Sequence, residues 1–285
     1  RLSASGTVRG HLALSGTAER MRVDADLAGA LGTVRARGGL GDDTTGWHAE
    51  SLTVRFADLD TRALTGQGPV TALGGTAFLD GRFDPVRGPE GNGRLLLGAG
   101  TAGAFTFDTA VTALHAAAGL LRFDTLALAW PGGHLSGAGA LGWHTSAGDS
   151  VQASLEVKNL RPLDPLVAAL TGSAPDTAGD ARPLGGSAKG SLTFAGSFDS
   201  LALLAEARIT DLGFGRATVP GASEPLAWTG GLRPSLSARM LIDTASFGEL
   251  GLADGGVAAA GFTDSLGWSL ASRVGGIDSI SASGS

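Results

Sequence analysis

Cysteine and tyrosine are absent from the 285 residues, lysine occurs only at Lys158 and Lys189, and charged residues make up 17% of the chain. Without cysteine there is no disulfide, no thiol nucleophile and no thiolate metal site. That composition is compatible with an oxidising compartment. The net charge is −6 and no basic run is present, so the chain carries no electrostatic footprint for nucleic acid, and no nucleic-acid partner is expected. Aromatic residues are 6% of the total and none is tyrosine, which supplies the aromatic girdles of an outer-membrane barrel badly. Long apolar helical runs are missing too. The least charged stretch, residues 125–148, is broken by Pro131 and several glycines, and its apolar residues alternate, so it makes a poor transmembrane helix. The chain starts at Arg1 with no signal peptide and is read as a piece of a longer protein.

What is abundant is glycine, 47 residues, within a 43% hydrophobic chain. That hydrophobic share is enough to bury a large surface, so disorder is not expected. Period-two alternation dominates, and two is the strand period. Leu52, Val54 and Phe56 alternate with Thr53 and Arg55; Leu155 and Val157 alternate with Ser154, Glu156 and Lys158. Met21, Val23, Ala25 and Leu27 oppose Arg22, Asp24 and Asp26, and Phe105, Phe107 and Val111 repeat the rhythm. Turn residues bound each run, as in "LGDDTTGW" and "WPGGH". Strands with one apolar and one wetted face describe an antiparallel sheet. The predicted fold is all-β: an elongated, curled antiparallel sheet with an apolar concave face and one or two short helices.

A longer echo links residues 46–66 with residues 142–172. Both open on Gly-Trp-His, continue as a strand, leave through Asp-Leu or Asn-Leu and close on Leu-Thr-Gly. The second copy predicts a helix, with Asp164 as N-cap, Pro165 in its first turn, Gly172 after its end and Leu166, Val167 and Leu170 as its apolar stripe. Residues 172–186 read as a linker. The expected organisation is a strand-rich repeat region over 1–172, ending in that helix, and a second over 173–285 that continues the same sheet.

Two segments match the nucleotide-loop pattern G-x-G-x-x-G: Gly98, Gly100 and Gly103, and Gly137, Gly139 and Gly142. With 47 glycines about one accidental match is expected. A phosphate loop must open a helix, whereas "AFTFDTAV" after Gly103 alternates as a strand, so this segment is a turn. No G-x-S-x-G, S-x-x-K or G-x-x-x-x-G-K-[ST] occurs. The histidines His11, His48, His115, His134 and His144 lack metal-ligand spacing. His48 and His144 hold equivalent places in the echo, which points to a role at a strand start. The acids lie at turns or on polar strand faces. No cofactor, no metal and no enzymatic activity is expected.

The segment "LRFDTLALAWPGGHLSGAGALGW" (121–143) followed by "DSVQASLEVKNLRPLDPLVAAL" (149–170) resembles the AsmA-like and TamB-like proteins of Gram-negative envelopes. There a strand pair with a Pro-Gly turn leads through an alternating strand to an Asn- or Asp-Leu exit and a short helix. "GGSAKGSLTFAGSFDSLALLAEARITDL" (185–212) and "VRGHLALSGTAERMRVDADLAG" (8–29) are similar units; residues 213–285 match mainly in texture. The resemblance implies a taco-shaped sheet in the periplasm, reached from an inner-membrane anchor, that carries phospholipid acyl chains between the inner and outer membranes along an apolar groove. By that analogy, with positions chosen by alternation, the groove candidates are Leu52, Val54, Phe56, Phe105, Phe107, Leu126, Leu128, Trp130, Leu155 and Val157. Two other roles are weighed: an assembly factor or scaffold whose sheet edge accepts a strand of an outer-membrane barrel protein, and a secreted β-solenoid passenger.

Overall fold

The computed structural model describes residues 7–43, 46–66, 69–144, 149–165, 184–197, 200–214, 217–229, 235–247, 250–262, 265–274 and 278–284. It is all-β, as the alternation predicts: 81% is strand and 5% helix, in antiparallel sheet that does not close on itself. So little helix provides no second layer to cover a sheet face. The chain divides into two compact units, Arg1–Pro131 with Ser136–Thr145, and Gly132–Leu135 with Ser146–Ser285.

Ten strands belong to the first unit: β1 (Val8–Thr17), β2 (Arg20–Gly29), β3 (Gly32–Asp43), β4 (Gly46–Leu59), β5 (Thr71–Asp84), β6 (Gly88–Leu97), β7 (Gly100–Ala102), β8 (Phe105–Phe107), β9 (Thr109–Ala117) and β10 (Leu120–Trp130). Strands β1 to β6, then β9 and β10, pair in that order, each antiparallel to the next. Strands β7 and β8 form a small hairpin within the β6–β9 connection, and β7 also pairs with Thr71 and Ala72. The first G-x-G-x-x-G segment is thus a hairpin: Gly103 makes its turn at φ 61° and donates its N–H to Val70 O at 2.8 Å. Left-handed backbone at that turn favours glycine.

Short helix α1 (Thr61–Thr65) lies between β4 and β5. Asp60 caps it by accepting from Arg62 N at 3.0 Å, and Gly66 closes it at φ 75° with its N–H on Arg62 O at 2.8 Å. The sequence reading placed a helix only in the second copy of the echo, so α1 adds to it: "LDTRALTG" carries a helix as well.

The second unit contains β12 (Ser150–Val157), β13 (Gly185–Ser197), β14 (Ser200–Phe214), β15 (Ala217–Thr229), β16 (Ser235–Phe247), β17 (Leu250–Phe262), β18 (Ser265–Val274) and β19 (Asp278–Gly284), paired antiparallel in sequence order. Residues of β11 (Gly133–Gly142) fall in both units. The second G-x-G-x-x-G lies within that strand, so it opens no helix. After β12 a 3₁₀ turn, Arg161–Leu163, precedes Asp164, whose own backbone is helical (φ −48°, ψ −48°) and whose Oδ1 accepts from Leu184 N at 2.8 Å. Residues 166–172 of the expected helix, and 172–183 of the expected linker, lie outside the described residues. Gly185 and Gly186, expected as linker, open β13.

Candidate functional site

Cross-strand register in the first unit gathers the apolar alternation onto one face. Leu12, Ala25, Ala36, Val54, Ala77, Leu95, Thr112 and Leu126 stand opposite one another from β1 to β10. The neighbouring row runs Gly10, Leu27, Val34, Phe56, Gly75, Leu97, Ala110 and Leu128. Eight strands at about 4.8 Å spacing make these rows roughly 34 Å long.

β-Bulges keep the face apolar where the sequence changes phase. Trp47 and Ala49 are odd-numbered, whereas Leu52, Val54 and Phe56 are even. The register shift between Ala49 and Leu52 absorbs one residue and puts both sets on one side. Ser51 takes the strain at φ 46°, held by Asp80 Oδ2, which accepts from Ser51 N at 3.2 Å and Ser51 Oγ at 3.1 Å. A second shift, between Phe123 and Thr125, aligns Leu121 and Phe123 with Leu126 and Leu128 in the same way.

The face is unevenly covered: Val23, Ala25, Ala49, Ala116 and Leu121 on it are buried, while leucines in its middle keep contact with water. Leu52, Val54, Phe56, Leu126 and Leu128 are only half-buried. Leu79, in the fifth of the eight paired strands and opposite Leu52 and Gly93, keeps 41% exposure. A sandwich core would enclose such a leucine on all sides. One polar atom sits in the rows: Thr112 Oγ1 is buried without a hydrogen-bond partner.

The two margins of the face differ. Along the β1–β2, β3–β4 and β5–β6 turns Trp47 stacks on Phe83 at 5.6 Å, and Phe83 meets Trp143 edge-on at 5.7 Å. Along the opposite margin lie α1 and the β7–β8 hairpin. There Phe107 and Trp130 are each 6% exposed, and Phe105 lies 6.2 Å from Trp130. Trp130 Nε1 is buried without a partner.

The other face carries the charged residues, together with Phe78, Leu96 and Val111, of which Leu96 is 46% exposed. Directly opposite residues pair charges across strands: Arg35 with Asp26 at 3.0 Å, Arg37 with Asp24 at 3.3 Å and Arg82 with Glu90 at 2.6 Å. Such exposed pairs add little stability, but they oppose a one-residue slip that would turn every side chain to the wrong face. A depression of about 580 Å³ on this side is lined by Glu19, Arg20, Asp43, His48, Glu50 and Arg82, among others. The His48 ring lies over Gly41, where a Cβ would collide with it, so it packs at the start of β4; its counterpart in the echo, His144, instead follows the end of β11, so the shared strand-start role holds for His48 alone. Among the described residues no group of three or more His, Cys, Asp or Glu is arranged to hold a metal, and no helix is long and apolar enough to cross a membrane.

The chain matches no family model, no curated protein and no solved structure. Its geometry therefore carries the reading.

Of the ten groove candidates, Leu52, Val54, Phe56, Leu126 and Leu128 share the apolar face. Phe107 and Trp130 are buried at its margin, with Phe105 half-buried against Trp130. Leu155 and Val157 belong to the second unit's own rows: Leu155, Gly190 and Ala207 in one, Val157, Ala188 and Ile209 in the next. Val157, at 2% exposure, is among the most buried side chains, while Leu155 is half-buried. The alternation missed Leu79, Leu95, Leu97 and Leu114, which complete the face. Their signal was present in "AFLDGRF", "GRLLLG" and "TALHAA", but glycines and turn residues thin the pattern until register is known.

Proposed function

We propose that the apolar face of the first unit binds phospholipid acyl chains and lets them move along it. In this reading the chain is a non-enzymatic, periplasmic segment of a bridge between inner and outer membranes, like the AsmA-like and TamB-like proteins it resembles, with an inner-membrane anchor elsewhere in the protein. The observation that carries the proposal is the exposure of Leu79 in the midst of continuous apolar rows. An apolar surface of that extent left open to water is a binding surface for something apolar. Each acyl CH₂ transferred from water onto it gains about 0.8 kcal/mol. The rows span roughly 34 Å, close to the hydrocarbon thickness of a bilayer at about 30 Å. A continuous lane thus offers a chain the same contact at each step and no deep trap.

Further support comes from what the face does not offer: among its residues are no nucleophile with a base, no acid pair and no cationic cluster. The solenoid alternative is disfavoured by the antiparallel pairing of neighbouring strands, since a solenoid stacks its coils at a fixed repeat. The test is mass spectrometry of organic extracts from the purified chain, beside a β-sandwich protein prepared identically. Phospholipid recovered in proportion to protein supports the reading. Clean, folded and monodisperse protein overturns it.

A further inference from the structure

On the charged face of the first unit, opposite charges pair where the register sets them side by side: Asp26 with Arg35, Asp24 with Arg37 and Arg82 with Glu90. The row next to Asp24 and Arg37 breaks this habit. There Arg22 of β2 stands opposite Gly39 of β3, and Gly39 stands opposite Glu50 of β4. A guanidinium and a carboxylate are thus held two strand spacings apart, about 10 Å at Cα, with only a glycine between them. A Cβ on Gly39 would lie 3.0 Å from the Glu50 Cβ, so the glycine keeps the space between them open.

A depression of about 530 Å³ includes that glycine in its lining, with Arg20, Arg22, His48 and Glu50. The depression of about 580 Å³ beside it shares Arg20, His48 and Glu50 and adds Glu19, Asp43 and Arg82, whose charge Glu90 offsets. The combined hollow is therefore polarised: cationic at the Arg22 end, anionic at the Glu19 and Asp43 end. Among the described residues, the side chains of Arg20, Arg22, His48 and Glu50 make no hydrogen bond and no ion pair.

We infer that this hollow binds a small ligand carrying a phosphate and a primary ammonium on one short chain. Arg20 and Arg22 lie two residues apart, on one face of β2. One guanidinium fork already matches the two oxygens of a carboxylate, so two forks call for the additional oxygens of a phosphate. The His48 ring, packed over Gly41, borders the same space. The ammonium faces Glu50 and the acids at the turn end. A bare anion leaves those acids without a partner and a bare cation leaves the arginines, whereas a ligand of both signs complements the whole hollow. Free phosphoethanolamine and the ethanolamine headgroup of a phospholipid share this chemistry. The hollow is formed by the charged side of the sheet, so the inference does not rest on the acyl-chain reading.

Titration calorimetry of the full chain with phosphoethanolamine tests it, beside inorganic phosphate and ethanolamine alone. Phosphoethanolamine should bind saturably and at least about tenfold more tightly than either. Arg22 and Glu50 are exposed, so their variants should keep the far-UV spectrum of the parent. Arg22→Ala should weaken binding about tenfold or more, and Glu50→Gln should lower it to the affinity of inorganic phosphate. Flotation with vesicles of phosphatidylcholine alone, or of equal parts phosphatidylcholine and phosphatidylethanolamine, separates the two sources. Recruitment that needs the ethanolamine lipid and is lost in Arg22→Ala supports the inference and names the headgroup. Calorimetric binding without such recruitment supports it and names the free compound. Three results overturn it: no saturable binding, inorganic phosphate bound as tightly as phosphoethanolamine, or both variants binding like the parent. None of these alters the phospholipid recovered from the parent chain, so the acyl-chain reading stands or falls separately.

Discussion

At the scale of single residues, turns carry a constraint that strand patterning does not reveal. Asp84 Oδ1 accepts from Val86 N at 2.7 Å and Arg87 N at 3.0 Å, closing the β5–β6 turn. Those two backbone N–H groups, Arg87 first, hold its carboxyl below the usual carboxylate range. A depressed folded-state value means that the group stabilises the fold above the unfolded carboxylate pKa and loses that contribution as pH falls through the folded one. Val86 and Arg87 amides should therefore lose protection, relative to their intrinsic exchange rates, below the usual carboxylate range, and Asp84→Asn should remove that pH dependence, both read by hydrogen exchange. Gly88, just beyond the turn, has φ 89°, and a Cβ there would meet the Trp143 ring at 2.7 Å. Gly88→Ala combines left-handed strain with overpacking, so it should cost about 1–3 kcal/mol in denaturant unfolding.

Elements are organised by caps and bulges. Asp60 Oδ1 accepts from Arg62 N at the start of α1 and from Thr71 N at 3.2 Å, tying the helix to the first residue of β5. Thr71 Oγ1 in turn donates to Leu59 O at 2.9 Å, spanning the β4–β5 connection. Asp60→Ala should cost about 0.5–2 kcal/mol as a lost cap, measured by thermal or denaturant unfolding, and should loosen the start of β5. The echo of Gly-Trp-His through Leu-Thr-Gly was legible in sequence, yet only its Pro-containing copy was read as a helix. The reason is physical: α1 spans one turn, too short for an apolar period to register, and only its Asp cap and Gly stop distinguish it. Bulges were equally hidden. Ser51 is an ordinary polar residue in sequence, and only its φ of 46° and its bonds to Asp80 mark it as the pivot that brings Trp47 and Leu52 to one face.

On the scale of the molecule, the division between an open face and a buried margin decides what substitutions do. Val54 and Leu126 are half-buried on the apolar face. Val54→Asp or Leu126→Asp should keep the fold, at a cost of about 1–3 kcal/mol, while sharply reducing co-purifying phospholipid. Folded variants that retain as much lipid as the parent would remove the face from the lipid reading. Phe107, 6% exposed beside Gly100, behaves differently. An unpaired carboxylate there costs roughly 3–5 kcal/mol and should unfold the hairpin margin, so loss of lipid in Phe107→Asp would say nothing about transport. Alternation alone placed Phe107 beside Val54 as an equivalent candidate.

The strand content, the antiparallel order and the two-faced chemistry follow from the sequence by itself, because alternation and turn residues act over a few positions along the chain. The same locality explains why Gly98, Gly100 and Gly103 were legible as a turn. Which apolar residues share a face, and whether anything covers them, was decided only in three dimensions. Register is set by hydrogen bonds between residues far apart in sequence, such as Ser51 with Asp80, and by charge pairs across hairpins, such as Arg82 with Glu90. Each bulge shifts the phase by one residue, which reverses the face of all that follows. Exposure depends on what packs around each position in three dimensions: Leu79 and Val157 look alike in an alternating strand, yet one keeps 41% of its surface in water and the other 2%.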